Sequence, residues 1–324
     1  MRVGIDHFTI RHLSPYQAVD FAEKNSLEGI QFGGIRGISG SLDIGELKDF
    51  RAYADSKNLY THVGVDIVNP VIKNSFTDLK KCIEEEIAAA AACGWHELHS
   101  VINPGTERYD HPVPWMIHID QCIRLINALR PTLEKYGSRI NIETHGETTF
   151  DILKVIECTG MHLAGVCLDT ANTLVNAEDP VLAAKRVAPY THLTHTKDAI
   201  VAFCGEGIIR QGKPPGEGCV DFETIIPVLG KYCPDLPLSI EDHKWLFTAK
   251  IYDEEWIAKN PDLTPYELGQ FVRLAYQTQQ KIARGEIPAL DEYEAAPYFE
   301  QMDQRLSFGR DYLNALLKKF SLYG

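Results

Sequence analysis

What the 324-residue chain lacks narrows its class first. No C-x-x-C pair occurs, and the eight cysteines (Cys82, Cys93, Cys122, Cys158, Cys167, Cys204, Cys219, Cys233) form no secretory framework, so reduced thiols are expected. No apolar run approaches the ~18 residues that cross a bilayer, and the opening MRVGIDHFTI lacks a signal-peptide core. A cytoplasmic protein with no membrane partner is the expectation. No G-x-G-x-x-G follows the first apolar run, which weakens a dinucleotide-binding reading, and no G-x-S-x-G supports a serine hydrolase. Positive charge is also short. With 32 Lys and Arg against 45 Asp and Glu, the net charge of −13 suits neither nucleic acid nor an anionic membrane.

What is present is an alternation. Short apolar or alternating runs stand at 2–6, 28–33, 60–65, 95–102, 139–144, 164–170, 191–197 and 237–243. Segments of helical period lie between them at 15–25, 45–57, 77–93, 115–136, 148–158, 179–188 and 222–232. Ser14-Pro15 and Asp179-Pro180 are helix openings, and Cys93-Gly94 is a helix end. Strands alternating with helices imply a parallel sheet, and eight repeats imply closure into an α/β (β/α)8 TIM barrel over 1–245. Residues 246–324 exceed one closing helix. They read as a helical C-terminal extension, with helices at 265–284 and 305–320, packed on the barrel or on a neighbouring subunit.

In such a barrel the C-terminal strand ends converge on one mouth. The stretch Ile140-Asn-Ile-Glu-Thr-His-Gly146 ends a core strand in a carboxylate and an imidazole, and the next three strands behave alike, giving Glu143, Asp169, His195 and Glu241. Each has an ordinary alternative alone: Asp169 before TANTL as a helix cap, His195 as a bonded core histidine, Glu241 as part of a polar turn. Three carboxylates gathered at one mouth would repel unless a divalent cation compensates them. Oxygen-rich ligation with one histidine suits Mn2+, Mg2+ or Co2+ better than a structural zinc.

These residues, with HTKD from His195 and PPGEGCVDF at 214–222, resemble the xylose-isomerase-like barrels of the sugar isomerase/epimerase superfamily over roughly 1–245. The resemblance implies one divalent metal, manganese first, held by Glu143, Asp169, His195 and Glu241. The chain departs from ketose 3-epimerases in carrying Asn172 where those place a histidine after the aspartate, and in carrying His145 two residues after Glu143. The latter feature resembles the catalytic α-subunits of C-glycoside deglycosidases, which cleave 3-keto-C-glycosides and work with a small β-sandwich partner. A small β subunit is therefore an expected partner, within a homo- or hetero-oligomer.

The implied chemistry is removal of the proton next to a sugar ketone. His145 is the expected base, since an imidazole is poised near neutral pH. Reprotonation on the other face gives an epimer and needs a second group such as Glu241 or Glu143; expulsion of the C1 substituent gives a lyase, the first expectation. Lys197, His243, Asn172 and His7 are expected to orient hydroxyls. A Lys197–Asp198 ion pair and a bonded pocket histidine are the plainer readings for Lys197 and His7. Arg210 and the glycines of RQGKPPGEG suggest a mobile lid, and of His96 and His99 at most one reaches the pocket. A non-catalytic sugar-binding scaffold is the rival class, weakened by the complete quartet.

Overall fold

Eight parallel strands close on themselves in the computed structural model, which describes residues 1–322. In chain order the strands are β1 (Arg2–Asp6), β2 (Gly29–Phe32), β3 (Tyr60–Gly64), β4 (Glu97–Ser100), β5 (Arg139–Glu143), β6 (Ala164–Asp169), β7 (Thr191–Thr196), β8 (Asp198–Cys204), β9 (Gly207–Lys213), β10 (Pro237–Ile240) and β11 (Leu246–Ala249). The barrel runs β1-β10-β7-β6-β5-β4-β3-β2, so the expected (β/α)8 architecture is present, with a helical C-terminal part. Strands β2, β6 and β10 are buried along their whole length, as strands covered on both faces are, which explains why they do not show a polar, solvent-facing alternation.

Local chemistry sets the element ends. Ser14 and Gln17 exchange side chain-to-backbone hydrogen bonds in a capping box that opens Pro15–Lys24, and Asp179 accepts from the backbone of Val181 and Leu182 to open Pro180–Val187. The helix Trp115–Tyr136 stops at Gly137, whose φ of 59° is left-handed. Gly4 on β1 is a close approach instead: a Cβ there would stand 2.1 Å from Tyr60 Oη.

The structure differs from expectation between β7 and β10. The segment read as a lid, 210–218, begins inside β9, which pairs with β8 in an antiparallel hairpin that β11 extends into a three-stranded sheet outside the barrel. Asp198 forms no ion pair with Lys197. Its carboxylate accepts from the backbone N–H groups of Ala199, Gly216, Gly218 and Val220 at 2.8 to 3.0 Å, which ties down the PPGEG turn. Two of these donors, Gly216 and Gly218, lie in the segment read as a lid, which is thereby tied to a buried carboxylate on β8.

The tail is tied to the barrel. Helix Pro265–Ala283 packs on β8, and Tyr298–Phe320, which begins seven residues earlier than the 305 read from sequence, packs against β1 and β10. Arg305 on the latter grips Asp242 through two hydrogen bonds of 2.7 and 2.6 Å. Among the described residues no helix is long and apolar enough to cross a membrane.

Candidate metal centre

The strand register brings the tips together. Asp169 of β6 pairs with His195 of β7, and His195 with Ser239 of β10, two residues before Glu241. One ligand atom from each of Glu143, Asp169, His195 and Glu241 lies within 4.8 Å of all the others, and all four residues are buried. His195 Nδ1 faces Glu241 Oε2 at 3.0 Å and Glu143 Oε1 at 3.2 Å. Yet His195 Nδ1 and Asp169 Oδ2 make no hydrogen bond. Buried polar atoms that converge without satisfying one another are what a cation site requires, and these donors suit an oxygen-preferring divalent ion.

The other edge of His195 supports that use. Its Nε2 lies 2.7 Å from the Gln31 amide and 3.4 Å from Asp6 Oδ2. Gln31 Oε1 and Asp6 Oδ2 are both buried without hydrogen-bond partners. A half-turn of the Gln31 amide gives Nε2–H an acceptor and leaves the Nδ1 lone pair to a metal, the arrangement that orients metal-binding histidines. Asp169 shows that the ordinary reading was partly right as well: its Oδ1 caps the following turn by accepting from Ala171 and Asn172.

Charge at the site is held by specific partners. Burial alone would raise the pKa of Glu143, but His195 and His99 outweigh it and keep the group well below the usual carboxylate range. Glu241 is held low in the same way, chiefly by Lys197. For Asp169 burial prevails over Lys197 and the pKa rises. Lys197 Nζ stands 2.8 Å from Glu241 Oε1 and 3.0 Å from Asp169 Oδ2, so it faces the quartet instead of the rim.

The remaining expected residues divide. Asn172 joins the centre, donating to Glu143 Oε1 at 3.4 Å and accepting from Arg210 Nη1 at 2.9 Å. Arg210 arrives from β9, is 1% exposed, and lies 4.7 Å above the Phe247 ring; its Nε and Nη2 have no partner among the described residues. His243 Nε2 is 3.5 Å from Glu241 Oε1, and burial with the Lys197 charge depresses its pKa to about 3. His145 is half-buried, and its Nδ1 donates to the Asn103 carbonyl at 2.9 Å, which leaves Nε2 as a free base. His7 makes no contact with the quartet among the described residues: it bonds the Leu13 carbonyl at 3.0 Å, and its ring lies tilted by 34° against Phe32.

Two neighbours escaped sequence reasoning, and a third is legible there only as one of a pair. Gln31 and Asp6 act on His195 from β2 and β1, across sequence separations that no motif spans. His99, whose Nε2 donates to Glu143 Oε2 at 2.9 Å, is the strand-four histidine that reaches the centre. Cys167 also comes within reach of His99 and His195, and burial raises its thiol pKa, which favours the protonated form.

A family model described as xylose isomerase-like TIM barrel matches residues 19–260. The uncharacterized protein YihM of Escherichia coli K12 is 25% identical over 221 residues, which is 67% of this chain and 63% of that protein. The chain thus spans less than two thirds of that relative's length. The crystal structure of D-psicose 3-epimerase in the presence of D-fructose superposes with a TM-score of 0.60 at 15% identity, covering 85% of this chain and 99% of its own. The apo 3-keto-D-glucoside 4-epimerase YcjR of E. coli gives a TM-score of 0.57 at 13% identity, covering 84% and 99%. At such identities the structural likeness is one of fold.

Proposed function

Because the chain belongs to the xylose isomerase-like TIM barrel family, we propose that it is a divalent-metal-dependent enzyme that moves the proton on the carbon beside the ketone of a keto-sugar, with epimerisation as the net reaction. The observation that carries this reading is the quartet of Glu143, Asp169, His195 and Glu241, whose donor atoms converge within 4.8 Å. The folds of a ketose and a keto-glucoside epimerase support it. A divalent ion held by the four residues, Mn2+ first and Mg2+ or Co2+ as alternatives, supplies Lewis acidity toward a sugar oxygen.

The protein's own groups do the rest. His145 Nε2, freed by the bond from Nδ1 to Asn103, takes the proton. Glu241 is ionised beside Lys197. It delivers a proton to the opposite face only after taking one from the Lys197 ammonium 2.8 Å from its Oε1, and solvent carries the proton removed by His145 back to Lys197. Lys197 balances the negative charge of Asp169 and Glu241 while the proton is away. The unpaired Nε and Nη2 of Arg210 hold substrate oxygens, since a buried guanidinium edge without acceptors is costly. Asn172 keeps that guanidinium in place.

A second reading is elimination. His145 stands beside the quartet as a base additional to its carboxylates, so a carbanion formed there can expel a carbon substituent from C1, the departing carbon taking up the proton that His145 holds, and the net result is cleavage of a 3-keto-C-glycoside. Incubating Mn2+-loaded protein with methyl 3-keto-β-D-glucoside in D2O tests the common step. Deuterium at the carbon beside the ketone is expected, lost in His145→Ala. A 3-keto-C-glucoside in the same assay separates the readings: deuterium without aglycone release supports epimerisation, or elimination that needs a partner subunit, and release supports the lyase. No deuterium despite bound metal overturns both.

A further inference from the structure

Glu147 lies four residues beyond Glu143 and is fully buried. Its hydrogen-bond partners are backbone N–H groups. Oε1 accepts from Ile102 and from Asn103, the latter at 2.6 Å, and Oε2 accepts from Gly146 at 2.8 Å. One carboxylate thus fastens the segment after β4 to the tip of β5. Burial pushes its pKa up to about 7 against the pull of His145 and of those donors. Desolvating a carboxylate is costly, and the donors offset that cost only while both segments stay in place.

The two fastened segments are the ones that meet at His145. Asn103 gives its N–H to Glu147 and offers its carbonyl to His145 Nδ1 at 2.9 Å. Gly146 directly follows His145, and its carbonyl accepts from Asn176 Nδ2 at 3.2 Å. On the far side, the Asn69 amide donates to the Ile102 carbonyl at 2.9 Å. The segments approach so closely that a Cβ at Gly146 would stand 2.0 Å from Asn103 Nδ2. The acceptor at one ring nitrogen decides which tautomer a neutral imidazole adopts.

We infer that Glu147 is a positioning residue for His145: by holding Asn103 and Gly146 together it keeps the Asn103 carbonyl on Nδ1, so that Nε2 carries the lone pair that takes the substrate proton. The inference rests on His145 as the base of the proposed reaction. Glu147 acts through the backbone. A glutamine in its place has one accepting oxygen, so an amide N–H2 faces either the Gly146 N–H or the Ile102 and Asn103 pair. A buried donor left without an acceptor costs about 1–3 kcal/mol, and the junction relaxes to relieve it. Once the Asn103 carbonyl moves away, the ring samples both tautomers, and the one with hydrogen on Nε2 cannot accept a proton there.

Two substitutions loosen the junction from opposite sides. Glu147→Gln removes an acceptor, and Gly146→Ala wedges Asn103 away; should one melt early, the other carries the test. Long-range proton–nitrogen NMR on the Mg2+-loaded protein, labelled with nitrogen-15 at histidine, reads the ring tautomer, with the His145 signal assigned by its loss in His145→Ala. The wild type is expected to carry its hydrogen on Nδ1, and each folded variant to show a mixture with the Nε2–H form. With methyl 3-keto-β-D-glucoside in D2O, kcat for exchange by the Mn2+-loaded variants falls about 10- to 100-fold while KM and Mn2+ affinity stay within about twofold. A wild-type ring with its hydrogen on Nε2, or a tautomer unchanged in the folded variants whatever happens to their Tm, overturns the inference and leaves Glu147 an anchor of the fold. A rise in KM in place of the fall in kcat overturns it too. The NMR needs no substrate, so the readings stay apart: a wild type without exchange removes the proposed function, while a tautomer shift still assigns Glu147 to His145.

Discussion

Lys197 Nζ lies 2.8 Å from Glu241 Oε1, and the same ammonium lies 3.0 Å from Asp169 Oδ2. One lysine thus neutralises part of a carboxylate cluster that a metal must also neutralise. Lys197→Met removes the positive partner of two buried carboxylates, which costs roughly 3 kcal/mol in the metal-free protein. Added Mn2+ then has more charge to compensate, so the rise in Tm on metal addition is expected to exceed that of the wild type. Thermal melts with and without Mn2+ check both halves, and an unchanged metal-free Tm contradicts the first.

Gln31 controls the metal through His195. Loss of a group that orients a liganding histidine lowers metal affinity by about 10- to 100-fold, and Gln31→Leu keeps the volume while removing the amide. Competition titration with a chelator measures the affinity. An affinity within twofold of wild type shows that the 2.7 Å contact with His195 Nε2 is incidental.

For His145 the expected signature is a split between chemistry and binding. His145→Ala lowers kcat for proton exchange by about 10²- to 10⁴-fold, the usual contribution of a positioned base, with metal content unchanged. Metal analysis beside the exchange assay detects both. Equal loss of metal and activity would place His145 among the ligands instead.

Glu178 carries a pH dependence independent of the centre. It is buried, hydrogen-bonded to Thr149 and 2.8 Å from Arg186, which also holds Glu267, and burial raises its pKa from 4.5 to about 7. The folded protein therefore binds a proton between about pH 4.5 and 7 that the unfolded chain has released, so this group's contribution to stability falls as pH rises through that window. The whole loss is about 3 kcal/mol at most. Denaturant unfolding at pH 5 and 7.5 should show a smaller difference for Glu178→Gln than for wild type; identical pH slopes contradict the assignment.

Much of this molecule was legible because its signals are local. Capping at Ser14 and Asp179 acts within three residues, and the apolar strands needed only their own composition. The quartet was legible because barrel topology alone sends Glu143, Asp169, His195 and Glu241 to one mouth. The β8–β9–β11 sheet was not, since the glycines of RQGKPPGEG look like a loop until Asp198 is seen accepting from Gly216 and Gly218. Nor were the partners of His195: Gln31 and Asp6 lie on strands whose sequence offers no reason to single them out. His7 shows the plainer of its two readings, a histidine bonded to the Leu13 carbonyl and set against the Phe32 ring.

The most direct test of the account is diffraction from crystals soaked in Mn2+, collected at the manganese absorption edge. The account predicts one anomalous peak per chain, bounded by Glu143, Asp169, His195 and Glu241, and its loss in Asp169→Asn. A peak elsewhere, or none at the quartet with Lys197 still between Asp169 and Glu241, would contradict it.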